Sequence, residues 1–454
     1  MAMTPEQWLP ELAERIDKNN PRVQLLKSYR DGNAPLPEAG ANTRESWTRF
    51  QKESRTNWGQ LILEAVTDRI VMKGILVNGD SQSDVALQAQ RIWRDNRMDL
   101  VFQSWLRDGL TFAQSFFTCW DDGGRARITS DSPETMVVAA DPLQPWRVRA
   151  ALRCWRDINN EKDYALVMAE GAYQRFERPS RLGDTLVRHV QGKWNPLGEP
   201  VPSPMPPVVV YNNPDGVGEY EPHLDVINRI NNGILERRVI QAMEAFRQRA
   251  LKSKAERGAL PKKDEQGNDI PWGDIFAPAP GALWDLPPDV DIWESTPTDI
   301  RPLLDASKDD IRQLSAVTRT PLPILMPDNT NTSAAGAIAA ETGYITKCGT
   351  RLTEAKLGVE AILVKALEAE GVQGMEEQNV TVQFEPVERV SLTERLQAAS
   401  QAVTVMSNKS ILRDILGWGP DEIRQDAIDR ADDVLRTMAL MQRNDSTRST
   451  DQPR

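Results

Sequence analysis

The stretch PILMPDNTNTSAAGAIAAETGYITK, residues 323–347, places a polar loop between two segments of helical periodicity. Pro321, Pro323 and Pro327 end the incoming helix, because proline lacks a backbone N–H and disfavours helical geometry in the residue before it. Ser333 is a candidate N-cap for the helix that follows. The stretch therefore predicts a helix, a polar loop and a second helix in succession.

The second helix is predicted to run from Ser333 to about residue 370, because its apolar residues recur three and four positions apart. Four glycines lie inside it, and each is less favourable in a helix than alanine by about 1 kcal/mol. They are Gly336, Gly343, Gly349 and Gly358. So many glycines predict kinking or close packing rather than a straight rod.

The composition is that of a globular protein large enough for two or three domains, with 454 residues and a net charge of −11. An acidic chain does not suit a protein that grips nucleic acid through its phosphates. Three scattered cysteines predict no disulfide framework and favour a reducing compartment. The first 20 residues lack the apolar core of a signal peptide, and no apolar run is long enough to span a membrane, so no membrane association is expected.

The first 200 residues predict an α+β unit with an antiparallel sheet. Helices are expected at 5–31 (as one or two), after an N-cap at Asn57, at 84–95 and at 98–108, with a strand at 69–77. SFFTCW and RARITS, joined by the turn DDGG at 121–124, predict a hairpin that further strands extend. Proline-dense residues 200–214, with a strand at 208–211, mark a boundary.

The remainder predicts long helices around a compact module. A helix is expected at 222–253, a Pro/Gly-rich module with some strand at 254–296, and a second helix at 299–318. Beyond the long helix already described, the sequence predicts a strand at 379–387, a helix after the capping box at 391–394, and a final helix that starts at Pro420 and ends near Gln442. Residues 444–454 are expected to be disordered.

No motif for catalysis or cofactor binding occurs. The sequence lacks G-x-x-x-x-G-K-[ST] and G-x-G-x-x-G, and His189 and His223 have no partner at metal-ligand spacing. The adjacent aspartate pairs predict solvated faces, because neighbouring helical residues do not face each other. We therefore predict a structural or binding protein that is not an enzyme and holds no metal or cofactor.

The order of elements, together with several short motifs, resembles the portal proteins of tailed bacteriophages, in the family typical of long non-contractile-tailed phages. The similar segments are YRDGNAPLP (29–37), NWGQLILEAVTDRIVMKGI (57–75), DGLTFAQSFFTCWDDGG (108–124), PVVVYNNP (207–214), PGALWDLP (280–287) and LGWGPDEI (416–423). The resemblance spans about residues 25–440. One departure is Ser28-Tyr29, where the family has a Tyr-Tyr pair.

The resemblance implies a portal fold and a dodecameric ring at one capsid vertex, around a channel through which double-stranded DNA is packaged and ejected. Residues 1–221 and 321–386 would form the wing, 222–253 and 297–320 the two stem helices, 254–296 the clip and 387–443 the crown. The expected partners are the terminase large subunit, the head–tail adaptor, and the major capsid and scaffolding proteins. The expected location is the virion, after assembly in the host cytoplasm.

The resemblance also implies a tunnel loop at 323–335 that lines the narrowest part of the channel. Its candidate DNA-facing residues are Met326, Asp328, Asn329, Thr330, Asn331, Thr332 and Ser333. Residues 326–335 contain no basic residue, so we expect the loop to guide DNA rather than bind it. The alternative is a solvated surface loop without DNA contact.

Two further sets of residues are candidates for contacts between molecules. In the clip, contacts to DNA or an acidic partner are expected from Lys252, Lys254, Arg257, Lys262, Lys263, Trp272 and Trp284. The basic residues could instead form a solvated charge run, and the tryptophans a small core. In the stem, contacts between subunits are expected from Ile234, Val239, Met243, Ile311 and Leu314. An ordinary helical hairpin within one chain is the alternative.

Two rival functions remain open from the sequence. A head-completion or scaffold protein would share the helical architecture but would have no central channel. A nuclease or packaging enzyme would require a phosphate-binding loop or clustered carboxylates, and neither occurs in the sequence.

Overall fold

The computed structural model describes residues 3–36, 45–180, 187, 189–245, 249–253, 263, 266–267, 269, 290–294, 299–327, 334–388 and 392–448. The chain divides into two compact units. The first comprises residues 1–35, 56–227 and 311–454, and the second comprises residues 36–55 and 228–310.

The described helices are numbered in chain order. They are α1 (Pro5–Arg30), α2 (Glu45–Ser54), α3 (Trp58–Thr67), α4 (Asp84–Asp95), α5 (Met98–Phe112), α6 (Leu224–Ala245), α7 (Arg301–Thr318), α8 (Leu322–Leu325), α9 (Ala334–Ala369), α10 (Leu392–Ala402), α11 (Asn408–Ser410) and α12 (Pro420–Arg448). A π-helical turn, Ile411–Ile415, continues α11, and 3₁₀ turns lie at Pro214–Gly216, Glu221–His223 and Glu377–Asn379.

Twelve strands are described, and all of their pairings are antiparallel. They are β1 (Met72–Val77), β2 (Gln114–Asp121), β3 (Ala126–Asp131), β4 (Met136–Ala140), β5 (Val148–Asp157), β6 (Lys162–Ala169), β7 (Gly171–Pro179), β8 (Asn195–Ser203), β9 (Val208–Asn212), β10 (Arg249–Ser253), β11 (Val290–Glu294) and β12 (Val380–Phe384). They form sheets in the orders β4-β5-β6-β7-β8, β3-β2-β9, β1-β12 and β10-β11. The α+β class predicted from the sequence is confirmed.

The five-stranded sheet is covered on both faces. On one face, apolar residues of α1, including Trp8, Leu12 and Ile16, pack against alternate strand residues such as Leu152 and Val167. The intervening residues of the same strands pack against β2 and β9 of the three-stranded sheet. The period-two alternation of the strands therefore supplies two cores, one for each face.

A third core surrounds Trp105 on α5. Its ring stacks on Phe117 of β2, with centroids 4.1 Å apart, and meets Tyr211 of β9 edge-on at 5.3 Å. A Cβ on Gly358 of α9 would come within 2.5 Å of this ring. Gly358 therefore lets α9 pass close to α5, which confirms the predicted close packing; the predicted kink in α9 stays a prediction.

Several local predictions are confirmed. Asn57 caps α3 by accepting a hydrogen bond from the Gln60 amide. The hairpin of β2 and β3 has the predicted DDGG turn, in which Asp121 accepts from the Gly124 amide at 2.7 Å. Pro420 is the first residue of α12, as predicted. These features form because the side chains that specify them are adjacent in sequence.

Three predicted helix ends are wrong. Helix α5 does not stop at Asp108 but continues to Phe112, because Gly109 serves close packing: a Cβ there would lie 2.3 Å from Tyr211. Residues 249–253 are not the end of the helix predicted at 222–253 but form β10, which pairs with β11. Helix α12 continues to Arg448 rather than ending near Gln442, because neither glycine nor proline follows Pro420 before Pro453. Residues 444–448 are therefore helical and not disordered as predicted.

The second unit contains α2, most of α6 and the first part of α7. Arg229 pairs with Asp310 at 2.8 Å, and Arg238 pairs with Glu53. Ile230 and Leu235 of α6 are buried. Throughout both units, no described helix combines the length and the apolar character needed to cross a membrane.

Candidate functional site: the polar loop and its buried support

The tunnel loop predicted at 323–335 is shorter in the structure, because residues 323–325 belong to α8 and residues 334–335 belong to α9. Met326 is half-buried, and its amide donates to the Leu322 carbonyl at 2.7 Å. Asp328, Asn329, Thr330, Asn331, Thr332 and Ser333 lie outside the described residues. Helix α9 begins at Ala334, the residue after the predicted N-cap.

A tight turn leads from α7 to this segment. Arg319 has a left-handed backbone with φ of 50°. The amide of the buried Thr320 donates to the Ser315 carbonyl at 3.0 Å, and the Ser315 hydroxyl donates back to the Thr320 carbonyl at 2.7 Å. The Thr318 hydroxyl donates to the Leu314 carbonyl at 2.7 Å. The helix therefore ends with its last polar groups paired, as a left-handed C-terminal residue permits.

Lys347 of α9 contacts the end of α7 at this turn. Its ammonium donates to the Thr318 carbonyl at 2.8 Å and pairs with Glu219 Oε2 at 3.1 Å. The side chains are almost fully buried, with 6% of Lys347 and 3% of Glu219 exposed. One lysine therefore joins the end of α7, the helix α9 and the segment that leads into α6.

Glu219 holds a second cation. The Arg351 guanidinium, one helical turn after Lys347, donates to Glu219 Oε1, and the Asn213 amide donates to the same oxygen at 3.3 Å. Burial of Glu219 works to raise its pKa, but the charges of Lys347 and Arg351 outweigh burial and hold the pKa below its usual value. Glu219 is thus an ionised carboxylate in the interior of the first unit.

His223 lies near this cluster and is half-buried. Burial lowers its pKa, and the charge of Lys347 lowers it further, while Glu219 opposes the shift. The neutral imidazole is therefore favoured. His189 is exposed. Among the described residues, no group of three or more His, Cys, Asp or Glu side chains is arranged to hold a metal ion.

A second set of contacts, made by Tyr344, attaches α9 to the rest of the first unit. The buried Tyr344 hydroxyl donates to the Ala65 carbonyl, and the Arg69 guanidinium lies 5.2 Å from the centre of the Tyr344 ring. Arg69 also donates to the Val387 carbonyl at 2.9 Å. The first turns of α9 are therefore tied to the end of α3 as well as to α7.

Sequence reasoning missed Glu219, Lys347 and Arg351. Lys347 and Arg351 are like charges at i and i+4 on a helix, a pairing that is unfavourable unless an anion lies between them. That spacing could therefore have indicated that a buried acidic partner lies beside this helix. Their partner Glu219 is 132 positions from Arg351, so the sequence did not identify it.

The structure describes little of the predicted clip set. Lys252 lies in β10 opposite Asp291 of β11, and Lys263 is exposed and forms an isolated antiparallel backbone bridge with Asp269. Lys254, Arg257, Lys262, Trp272 and Trp284 lie outside the described residues.

The structure removes one residue from the predicted contacts between stem subunits. Ile234, Val239 and Ile311 are half-buried, and the side chain of Met243 lies outside the described part of the chain. Leu314 is fully buried within one chain, with 0% exposure. Leu314 therefore presents no surface to a neighbour and is removed from the proposed subunit contacts.

All three cysteines are free thiols and are buried. Burial raises the pKa of Cys119 to about 12 and raises the pKa values of Cys154 and Cys348. They act as small apolar side chains in the core.

A family profile identifies the class of protein to which this fold and loop belong. The profile described as "Phage portal protein, SPP1 Gp6-like" matches residues 11–433, nearly the whole chain. The chain therefore belongs to the phage portal proteins and, within them, to the SPP1 Gp6-like family. The resemblance drawn from its sequence motifs is confirmed.

Similar solved structures come from gene transfer agent (GTA) particles. A chain from the neck of the native particle, computed with C12 symmetry, is 13% identical with a TM-score of 0.45, over 88% of this chain and 99% of its own. A chain from the neck of the empty particle, computed with C6 symmetry, is 15% identical with a TM-score of 0.43, over 85% and 96%. No curated protein sequence matches the chain. At these TM-scores, the family assignment rests on the profile alone.

Proposed function

We propose that this protein forms a ring at one vertex of a phage capsid and that double-stranded DNA is packaged and ejected through the ring. Membership of the portal family over residues 11–433 carries the proposal. The family expectation is a dodecamer. The rival is a head-completion or scaffold protein without a channel.

Exposed apolar side chains at the C-terminal end support self-association. On α12, Ile428 is 48% exposed, Leu435 is 64% exposed and Met438 is 58% exposed. Leu392 and Leu396 of α10 are also exposed. Burial of apolar surface stabilises by about 25 cal/mol per Å², so a neighbouring subunit that covers these residues would stabilise the ring. A cyclic ring closes through such heterologous contacts.

The division of the chain into wing, stem, clip and crown belongs to the same proposal. The crown, residues 387–443, would include the exposed faces of α10 and α12 and would lie inside the capsid. The clip, residues 254–296, would meet the terminase large subunit and later the head–tail adaptor. The major capsid and scaffolding proteins would meet the assembled ring.

The polar loop would form the narrowest part of the channel. Residues 326–335 carry Asp328 and no cation, so the loop offers amides, hydroxyls and one carboxylate per subunit to passing DNA. Strong DNA binding requires many cationic contacts to phosphates, and this loop has none to offer. The composition therefore suits guidance of moving DNA.

Size-exclusion chromatography with light scattering tests the ring. The purified full-length chain should elute as a closed oligomer of about twelve subunits at micromolar concentration. A stable monomer under the same conditions would rule out the ring and favour the rival.

A further inference from the structure

We propose that Lys347 is a positioning residue. It holds the end of α7 and the helix α9, which lie on either side of the polar loop in the sequence, in fixed positions relative to each other. This inference deepens the proposed function and rests on it only in assigning the loop to the DNA channel. The ammonium of Lys347 reaches the Thr318 carbonyl at 2.8 Å, across 29 positions of sequence. The loop lies between these two residues.

The contact joins both sides of the loop directly. Thr318 is the last residue of α7 on the incoming side, and Lys347 lies on α9 on the outgoing side. A cation at the C-terminal carbonyls of a helix is favoured by the helix dipole, and burial removes the water that would compete for the carbonyl. This contact therefore fixes the position of α9 relative to the end of α7.

Glu219 is the second partner of the Lys347 ammonium. Its side chain is 3% exposed and pairs with the ammonium at 3.1 Å, so Lys347 is held by Glu219 as well as by Thr318. Glu219 is itself fixed, because its backbone amide donates to the Leu110 carbonyl at 2.8 Å. Helix α5 thus provides the fixed frame to which both loop ends are attached.

Arg351 provides a matched control. Like Lys347, it is a cation of α9 that pairs with Glu219, and 16% of its side chain is exposed. Its described partner is Glu219, whereas Lys347 also bonds Thr318. Lys347→Met and Arg351→Met each remove one positive charge and leave Glu219 with one cation, but only Lys347→Met removes the contact across the loop.

Hydrogen–deuterium exchange on the full-length proteins tests the proposal. The informative amides are those of Thr320, Ile324 and Met326, each hydrogen-bonded within the incoming segment. Lys347→Met should speed their exchange roughly tenfold or more relative to Arg351→Met, the size expected when a hydrogen bond to a charged group is lost. Equal exchange in the two variants would overturn the positioning role.

A measurement on the unchanged protein covers the case in which Lys347→Met does not fold. Native-state exchange in low denaturant should show residues 319–326 and 334–347 opening together, with the same denaturant dependence. Independent opening of the two stretches would contradict the proposal. Neither exchange result depends on ring formation, so a monomer in light scattering would overturn the proposed function and leave this test intact.

Discussion

Glu219 accepts hydrogen bonds from two cations of one helix, Lys347 and Arg351, in the interior of the first unit. Removing the carboxylate charge leaves both cations buried without an anion. Glu219→Gln should therefore destabilise the protein by about 3–5 kcal/mol, the usual cost of breaking a buried ion pair from one side. Urea denaturation at neutral pH measures this cost.

Glu221→Gln is the matched control for Glu219→Gln. Glu221 pairs with Arg22, but 21% and 34% of the two side chains are exposed, so solvent screens the pair. The pair has two parallel hydrogen bonds but is only partly buried, so its loss should cost about 1–2 kcal/mol, less than the loss at Glu219. Equal costs for the two substitutions would contradict the described burial of Glu219.

Asp108 should make stability depend on pH. Burial raises its pKa from 3.8 to about 6, although Arg30 lies 2.8 Å away and opposes the shift. The folded state thus holds this proton to higher pH than the unfolded state does, so the contribution of Asp108 is fully present below about pH 4 and is lost as the pH rises through about 6.

Comparison with Asp108→Asn isolates this contribution. The free energy of unfolding of the unchanged protein, minus that of the variant, should fall by roughly 1–2 kcal/mol between about pH 5 and pH 7. Urea denaturation of both proteins at each pH gives the difference, in which other titrating groups cancel. A difference that stays constant or rises would contradict a raised pKa at Asp108.

The glycines of α9 should separate into two classes. A Cβ on Gly358 would lie 2.5 Å from Trp105, whereas a Cβ on Gly349 meets nothing within 4 Å. Gly358→Ala should destabilise by about 1–3 kcal/mol through overpacking. Gly349→Ala should instead stabilise by up to about 1 kcal/mol, because alanine favours helix. Thermal unfolding of the two variants checks the signs, and two shifts of the same sign would contradict the close approach of α9 to α5.

Ring formation should depend on the apolar face of α12. Leu435 is 64% exposed, so Leu435→Glu should fold normally but shift the light-scattering mass from ring to smaller species. Thr437→Glu adds the same charge two positions along, on a different side of the helix, and should leave the ring intact. Intact rings from Leu435→Glu would remove this face from the proposed interface.

DNA passage should respond to the charge of the polar loop. Asp328→Lys would add a ring of cations where the unchanged loop has none, so packaging should slow or stall, more strongly at low salt. Asp328→Asn, which adds no cation, should package close to normally. Unchanged packaging by Asp328→Lys would count against a channel position for this residue.

Local sequence signals predicted the elements that depend on adjacent residues. The cap at Asn57, the DDGG turn and the start of α12 at Pro420 all follow from side chains next to the backbone groups that they pair. Helix α1 is different, because it continues through Pro10 and Pro21. Its packing on the five-stranded sheet outweighs the local penalty of proline.

Pairings between distant residues could not be predicted. Strand β10 forms because Arg249–Ser253 meets Val290–Glu294, and the sequence of the first segment by itself read as helix. Glu219 is buried against Lys347 and Arg351, which lie more than 120 positions away in the sequence. The prolines and the candidate N-cap Ser333 predicted a polar loop after α7, whereas nothing adjacent in sequence indicated that the buried Lys347 bonds the end of α7.

Electron microscopy of the purified full-length protein distinguishes a portal ring from a protein without a channel. We expect round particles with a central hole, and a reconstruction in which residues 323–335 of every subunit line the narrowest part of the channel. Particles without a hole, or a ring in which these residues face away from the axis, would contradict this expectation.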